Sequence, residues 1–340
     1  MNLLLKSITF KNFKALRDAT LPLSPFTLIV GPNGSGKSTV LDALREFQLV
    51  ATNAVRQKNS NQKISQPLAS IHGSQKDRDT RCSFEYMSPN DGASTFTLRS
   101  VGPDWNYENE GLSNQNLQDA NKLRVFEFDP KKMAGPDVLM PHQKLQPDGS
   151  GLAGTLDTLR DEDEERFDEL NIQLNQWLPE YDRILFETPS QGNRSLALRT
   201  TEGHHKMPAS VLSHGTLVAL ALLTMVYIQN PPTLIGLEEP DRGIHPRLLR
   251  KLKDAIYRLA YPSESDGGRP PIQVIATTHS PYFVDQFKDH PEEIVVANKN
   301  GLDVSFERLS DKPHLQEIIQ DSSLGEVWYS GILGGVPTPS

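Results

Sequence analysis

Residues 31–39 read GPNGSGKST, glycines interspersed with small polar residues and ending on a lysine and two hydroxyls. Glycines let successive backbone N–H groups turn inward, where they hold phosphate oxygens. A helix that starts there adds its partial positive charge. The spacing fits G-x-x-x-x-G-K-[ST]. It lies between the apolar run FTLIV (26–30) and a helical pattern from about Ser38 to Val50, the context a phosphate-binding loop needs. Gly31, Pro32, Asn33, Gly34, Ser35, Gly36, Lys37, Ser38 and Thr39 are therefore candidate nucleotide ligands. Lys37 would reach the β- and γ-phosphates, and the Ser38 hydroxyl would bind Mg2+.

Mg2+ on a triphosphate takes a carboxylate from a neighbouring strand, usually through water. LIGLEEPDRGIHP (234–246) offers one, since its apolar run ends on Glu238 and Glu239. Glu238 is the candidate metal residue, and Glu239 the group that polarises attacking water. Adjacent acids repel in an empty pocket; a lysine and a divalent ion offset that repulsion. A strand ending at the surface would also carry acids, so the loop at 31–39 decides the reading. VLSHGT (211–216) places Ser213, His214 and Gly215 at a helix start, a second anion-binding turn. IQVIATTHSPYF (272–283) places His279 just beyond a buried strand, positioned to bond a γ-phosphate or the attacking water.

The elements that position these residues alternate. Strands are expected at 3–10, 26–30, 123–129, 233–238, 272–277 and 293–297, and helices at 215–229, 246–260 and 281–287. Such alternation at both chain ends implies one parallel sheet assembled from the two ends. CSFEYMSPNDGASTFTLRSV (82–101) reads as a hairpin turning at PNDG. RILFE and SLALRT, joined by TPSQGN, read as a second hairpin. Residues 151–178 look helical, with an acidic stretch (Asp161 to Glu165) that reads as a solvated face and a helix start rather than a metal site. Residues 102–121 and 261–271 read as loops. The expected architecture is α/β, an ATPase core from 1–50 and 205–340 and an inserted β-hairpin and helical lobe from 51–204.

The 340 residues, 36% apolar and 23% charged, are an ordinary globular composition. No apolar run approaches the ~20 residues of a membrane helix, and the N-terminus alternates like a strand rather than a signal peptide. The single Cys82 excludes an internal disulfide and suits a cytoplasmic protein. His204 and His205 read as a surface pair without nearby acids. A net charge of −8 argues against coating nucleic acid with the whole surface. Arg56, Lys58, Lys63, Lys76, Arg78 and Arg81 are dense enough to track a phosphate backbone, and equally fit a solvated loop.

The order of parts resembles ABC-type ATPase heads, in the RecF/SMC/OLD-like branch. ITFKNFKALRDATLPLSPFTLIVGPNGSGKST is similar to the opening of that branch. LEEPDRGIHPRLL resembles its acidic strand and histidine-proline turn, and TTHSPYFVDQF its switch segment. FDP…LQPDGSGLAGTLDTL and SLGEVWYSGILGG resemble single-head ATPases of this branch. The resemblance implies a homodimer around ATP and Mg2+. Gly31–Thr39 of one copy would hold ATP, and the ABC signature Ser213, His214 and Gly215 of the other would close on its γ-phosphate. It further implies Glu239 as general base and His279 as switch histidine. Gln143 is a candidate for the lobe-connecting glutamine that reaches the metal, and Lys14 for a basic group touching nucleotide. Glu238 stands where the branch more often has Asp, which shifts metal geometry and favours slow hydrolysis. Too few residues follow His279 for the TOPRIM nuclease domain of OLD enzymes, and no heptad run of an SMC arm is present.

Three functions share these motifs. The first is an ATP-driven switch that controls a separate nuclease or toxin, or grips DNA, in antiviral defence or DNA repair. The second is an ATP-holding scaffold that hardly turns over. The third, a transporter subunit, fits least, because LSHGT lacks the closing Gly-Gln of a transporter signature.

Overall fold

The computed structural model describes residues 4–56, 80–88, 92–101, 104–110, 114–263, 269–320 and 322–335. In chain order the elements begin with β1 (Leu4–Phe13), β2 (Leu16–Pro22), β3 (Phe26–Val30), α1 (Lys37–Arg56), β4 (Thr80–Ser88), β5 (Gly92–Val101), β6 (Asp104–Glu110), α2 (Asn114–Asn121) and β7 (Arg124–Phe126). Next come α3 (Pro130–Met133), β8 (Asp137–Val138), α4 (Leu152–Glu162), α5 (Glu164–Trp177), β9 (Tyr181–Glu187), β10 (Asn193–Thr200), β11 (Lys206–Pro208) and α6 (His214–Tyr227). The chain continues through β12 (Leu234–Glu238), α7 (Leu249–Ala260), β13 (Gln273–Thr278), α8 (Pro281–Asp285), β14 (Ile294–Asn300), β15 (Asp303–Arg308), α9 (Leu315–Ile318) and α10 (Leu324–Tyr329).

Two compact units result: Met1–Val125 with Pro232–Glu239 and Ala260–Ser340, and Phe126–Pro231 with Pro240–Leu259. This division by compactness runs differently from the core-and-insert boundaries expected from sequence. The hairpin β4–β5 groups with the phosphate loop because it pairs with β1, while α6 groups with the middle of the chain because it packs on α4 and α5.

The first unit holds a mixed sheet in the order β15-β14-β3-β13-β12-β7 and an antiparallel sheet in the order β2-β1-β4-β5-β6. In the mixed sheet β14, β3, β13 and β12 run parallel, and β15 returns antiparallel. Strand β3 is buried along its whole length, as its continuous apolar run requires with a parallel neighbour on each side. The register sets Val30 opposite Thr278 and Glu238 opposite Thr277. Gly31, Glu239 and His279 therefore emerge together at the carboxyl ends of adjacent parallel strands, where α/β sheets place ligands. Helix α1 fills the space between the sheets. Its Phe47 ring lies 4.5 Å from Phe84 and 5.0 Å from Phe96. Buried Gln273 ties the sheets by bonding both backbone groups of Leu5, at 2.9 and 2.8 Å.

In the second unit α4 and α5 pack beside the β9–β10 hairpin, and α6 is buried over nearly its whole length. Asn171 of α5 accepts from the Ile184 N–H at 2.7 Å, fixing helix to hairpin.

Several sequence expectations need correction. Residues 102–121 are not a loop, because β6 extends the antiparallel sheet and α2 follows. Their polarity hid them, although Trp105 and Tyr107 alternate as a strand's residues do. The helical stretch 151–178 is two helices, and the second begins where the acidic stretch Asp161 to Glu165 reads as a helix start. Asp163 leaves helical geometry between them and caps α5 through the Arg166 N–H. The strand at 123–129 shortens to β7. His204 does have an acid near it, since its Nδ1 lies 3.8 Å from Asp182. Of the basic stretch, Lys58, Lys63, Lys76 and Arg78 lie outside the described residues, as does most of the PNDG turn.

Candidate nucleotide site

The loop from Gly31 to Gly36 joins β3 to α1 through a backbone that side chains would obstruct. A Cβ on Gly31 would come within 2.6 Å of the Ala297 carbonyl oxygen. Gly36 has φ +88°, and a Cβ there would meet Leu16 Cδ2 at 2.5 Å. Only glycine combines that left-handed backbone with that approach. Inside the loop the Ser35 hydroxyl is buried, with no hydrogen-bond partner among the described residues. Asn33, Gly34 and Ser38 are exposed, and Thr39 is buried.

Lys37 is the first residue of α1 and only 6% exposed. Its Nζ donates to the carbonyls of Gly31 and Pro32, at 2.8 and 2.9 Å. Burial pulls its pKa down to about 8, and the charge of Glu239 opposes that shift in part. A buried ammonium facing carbonyl oxygens gains most from an anion.

Ser38 Oγ donates to Glu238 Oε1 at 2.6 Å. The other Glu238 oxygen lies 3.4 Å from Arg45 Nη2. Arg45 in turn bonds Asp42 at 2.9 Å, and Lys14 Nζ bonds the same carboxylate at 2.5 Å. Lys14 is therefore engaged with Asp42, and its backbone is left-handed at φ +48°. Sequence reasoning missed Asp42 and Arg45. They stand four and seven residues after Ser38, on the same face of α1, and that spacing was the available signal.

Glu239 turns away from Glu238 because its backbone is left-handed at φ +44°. Such a conformation costs a non-glycine residue about 1 kcal/mol or more and concentrates at functional sites. Its N–H donates to Thr277 Oγ1 at 3.2 Å. Its carboxylate lies 3.4 Å from His279 Nε2. Burial lowers the His279 pKa, the Lys37 charge adds to that, and Glu239 opposes it. The imidazole is therefore predominantly neutral at pH 7. Ser280 caps the short helix that follows and fixes His279 at the strand end.

In the second unit Ser213 caps α6, accepting from the Thr216 N–H at 3.1 Å, and is itself exposed. Gly215 is the close-contact residue, since a Cβ there would lie 2.6 Å from the Gly243 carbonyl oxygen. His214 packs beside Gly243, and burial, then the charge of Arg242, lowers its pKa. Gln143 lies over Gly154, where a Cβ would come within 2.7 Å of its Cγ; its Oε1 is buried and unpartnered.

The donor set fits a magnesium triphosphate. A hydroxyl and a carboxylate 2.6 Å apart could share one small hard cation, with phosphate oxygens completing the shell. Among the described residues no cluster of three or more His, Cys, Asp or Glu stands ready to cage a metal, and no helix is long and apolar enough to cross a membrane.

Several known proteins are similar to this chain. The family described as "AAA domain, putative AbiEii toxin, Type IV TA system" matches residues 64–285, and the P-loop containing region of AAA domain matches residues 5–62. A stretch of 41 residues is 56% identical to the OLD nuclease of Thermus scotoductus, covering 12% of this chain and 8% of that protein. The Old nuclease of Escherichia phage P2 is 21% identical over 390 residues, covering 95% of this chain and 64% of that protein. The chain thus spans less than two-thirds of either relative. The crystal structure of the SmcHead bound to the C-winged helix domain of ScpA superposes with a TM-score of 0.60 at 17% identity, covering 89% of this chain and 96% of that one. The fold is that of an ABC-type P-loop ATPase head, and the chain belongs to the AAA-domain family of that description.

Proposed function

We propose that this protein is an ATP-dependent switch that hydrolyses ATP slowly and controls a separate effector through head-to-head dimerisation. The observation that carries the reading is the convergence of Lys37, Ser38, Glu238, Glu239 and His279 on one end of the mixed sheet.

The loop N–H groups and Lys37 bind and orient the phosphates. Ser38 and Glu238 would hold Mg2+, which when bound supplies charge neutralisation at the phosphates. Glu239 orients a water and accepts its proton, and neutral His279 positions the γ-phosphate or that water. Ser213, His214 and Gly215 of a second copy would close over the γ-phosphate, as the exposed end of α6 allows. Gln143, with its buried unpartnered oxygen, is assigned to metal sensing and Lys14 to nucleotide contact. A nuclease or toxin as the effector, with DNA as a further partner, is suggested by the names of the relatives and of the family. Antiviral defence or DNA repair in the cytoplasm is the setting that suits it.

The decisive experiment compares Glu239→Gln with the double variant Glu239→Gln, Ser213→Arg by light scattering with ATP and Mg2+. The single variant is expected to accumulate as a dimer and the double variant to stay monomeric while still binding ATP. A single variant that stays monomeric at saturating ATP would sink the sandwich. A second reading, an ATP-holding scaffold, is favoured by the direct Ser38–Glu238 bond, in which the longer acid replaces Asp. Phosphate release from the wild type no faster than from Glu239→Gln would select it.

A further inference from the structure

The wall of the phosphate loop formed by β14 carries a second lysine that no motif predicts. Ala297 and Lys299 point to the same side of β14, two residues apart, while Asn298 between them points to the other. On the loop side, Ala297 backs Gly31 so closely that a Cβ on that glycine would lie 3.0 Å from the Ala297 Cβ. On the same side, Lys299 Nζ would lie 3.3 Å from a Cβ on Gly34, at the exposed apex of the loop. On the opposite side, Asn298 Oδ1 accepts from the Gly335 N–H at 2.8 Å. Gly335 itself comes so near the loop that its Cβ would lie 3.5 Å from the Gly31 Cα.

The end of β14 is thus held between the loop and a glycine turn, and the lysine that emerges from it is aimed by that clamp. Among the described residues the Lys299 ammonium makes no ion pair or hydrogen bond, and the residue is exposed. A free ammonium beside a phosphate-binding loop is a cation without its anion. Lys37, by contrast, is buried and already bonded to loop carbonyls.

We propose that Lys299 is a second phosphate ligand, contacting the terminal phosphate oxygens of a nucleoside triphosphate across Gly34. The proposal rests on the nucleotide reading above and deepens it. Lys37 holds the phosphates from inside the loop and Lys299 from outside, so the terminal phosphate gains more from Lys299 than the inner ones do. Loss of Lys299 is therefore expected to weaken ATP binding more than ADP binding.

The test is equilibrium binding of ATP and of ADP, each with Mg2+, to wild type, Lys299→Gln, Lys299→Arg, Lys299→Glu and Lys37→Ala. Lys299→Gln is expected to weaken ATP binding about tenfold, the scale of one charge-assisted hydrogen bond, and ADP binding by less. Lys299→Arg should restore most of the ATP affinity and Lys299→Glu should lose more of it. The nucleotide-free melting temperature should stay unchanged in all three, because the side chain is exposed. ATP affinity equal to wild type in Lys299→Gln, with Lys37→Ala defective, would overturn the role of Lys299 alone. Equal loss for ATP and ADP would also overturn it, because the contact would not then be to the terminal phosphate. Unimpaired ATP binding in Lys37→Ala would instead overturn the nucleotide reading beneath it.

Discussion

The starts of α1 and α6 both carry a serine and a glycine, and of these two only the first is equipped for chemistry. At the start of α1 a buried lysine, a serine, two glutamates and a histidine converge; the Glu239 charge acts on Lys37, and the Lys37 and Glu239 charges both act on His279. At the start of α6 the Ser213 hydroxyl is occupied as a cap, and the residue is exposed to whatever docks there. Both ends carry the same partial positive charge. The comparison teaches that a helix terminus by itself provides attraction for an anion. The turnover proposed above would need the additional titratable groups that the parallel strands deliver to α1.

The sharpest way to break the comparison is to remove the cation at α1. Lys37→Ala should weaken ATP binding by at least about 100-fold, since on the proposed function the ammonium would hold two phosphates in a desolvated site. Ser213→Ala should leave ATP binding by a single copy within about twofold, because the role proposed for Ser213 is toward the nucleotide of a second copy. Titration of each variant with nucleotide checks both. Equal losses would mean that the two helix starts serve one pocket of a single chain.

The next effect is on turnover. Glu239→Gln keeps the size and left-handed backbone of the residue but removes its ability to accept a proton. Steady-state phosphate release should fall about 10²- to 10⁴-fold while ATP affinity holds. Glu238→Gln should instead raise the Mg2+ concentration needed for half-maximal ATP binding, separating the two acids by assay.

How much of this was legible beforehand follows from chain distance. The phosphate loop was readable because its ligands are consecutive residues and its flanks a strand and a helix. The acid pair and His279 were readable because each ends an apolar run. Arg45 and Asp42 were not, because their meaning depends on Glu238, which lies some two hundred positions away and is placed only by the β12–β13–β3 register. Lys299 was invisible for the same reason, since β14 becomes a neighbour of the loop only when it pairs with β3. Strand β6 escaped because it is polar at the edge of its sheet, and edge strands need no apolar run.

Proton linkage sharpens the comparison further. The Lys37 pKa is lowered to about 8 from the ordinary lysine value of 10.5. Bound phosphate favours the ammonium, so above about pH 8 binding must take up a proton, and the dissociation constant should rise about tenfold per pH unit. The folding term has the opposite sign. Between about pH 8 and 10.5 the unfolded chain holds this proton when the folded chain has lost it, so Lys37 makes the nucleotide-free protein more stable as pH rises. Binding and thermal melting measured over pH 7–10 should therefore move in opposite directions, and Lys37→Met should remove this contribution from the melting profile.

The smallest expected effect belongs to α6. Removing the Ser213 cap leaves the Thr216 N–H without its acceptor, which costs about 1 kcal/mol of stability in the second unit. Ser213→Asp keeps an acceptor at the same place and suits the helix dipole, so it should recover that stability. If α6 meets the phosphates of a second copy, however, the added negative charge should block ATP-dependent dimerisation. Ser213→Ala and Ser213→Asp would then rank one way in a melting experiment and the other way in a dimerisation experiment. A cap with no part in binding would leave both variants able to dimerise to the same extent.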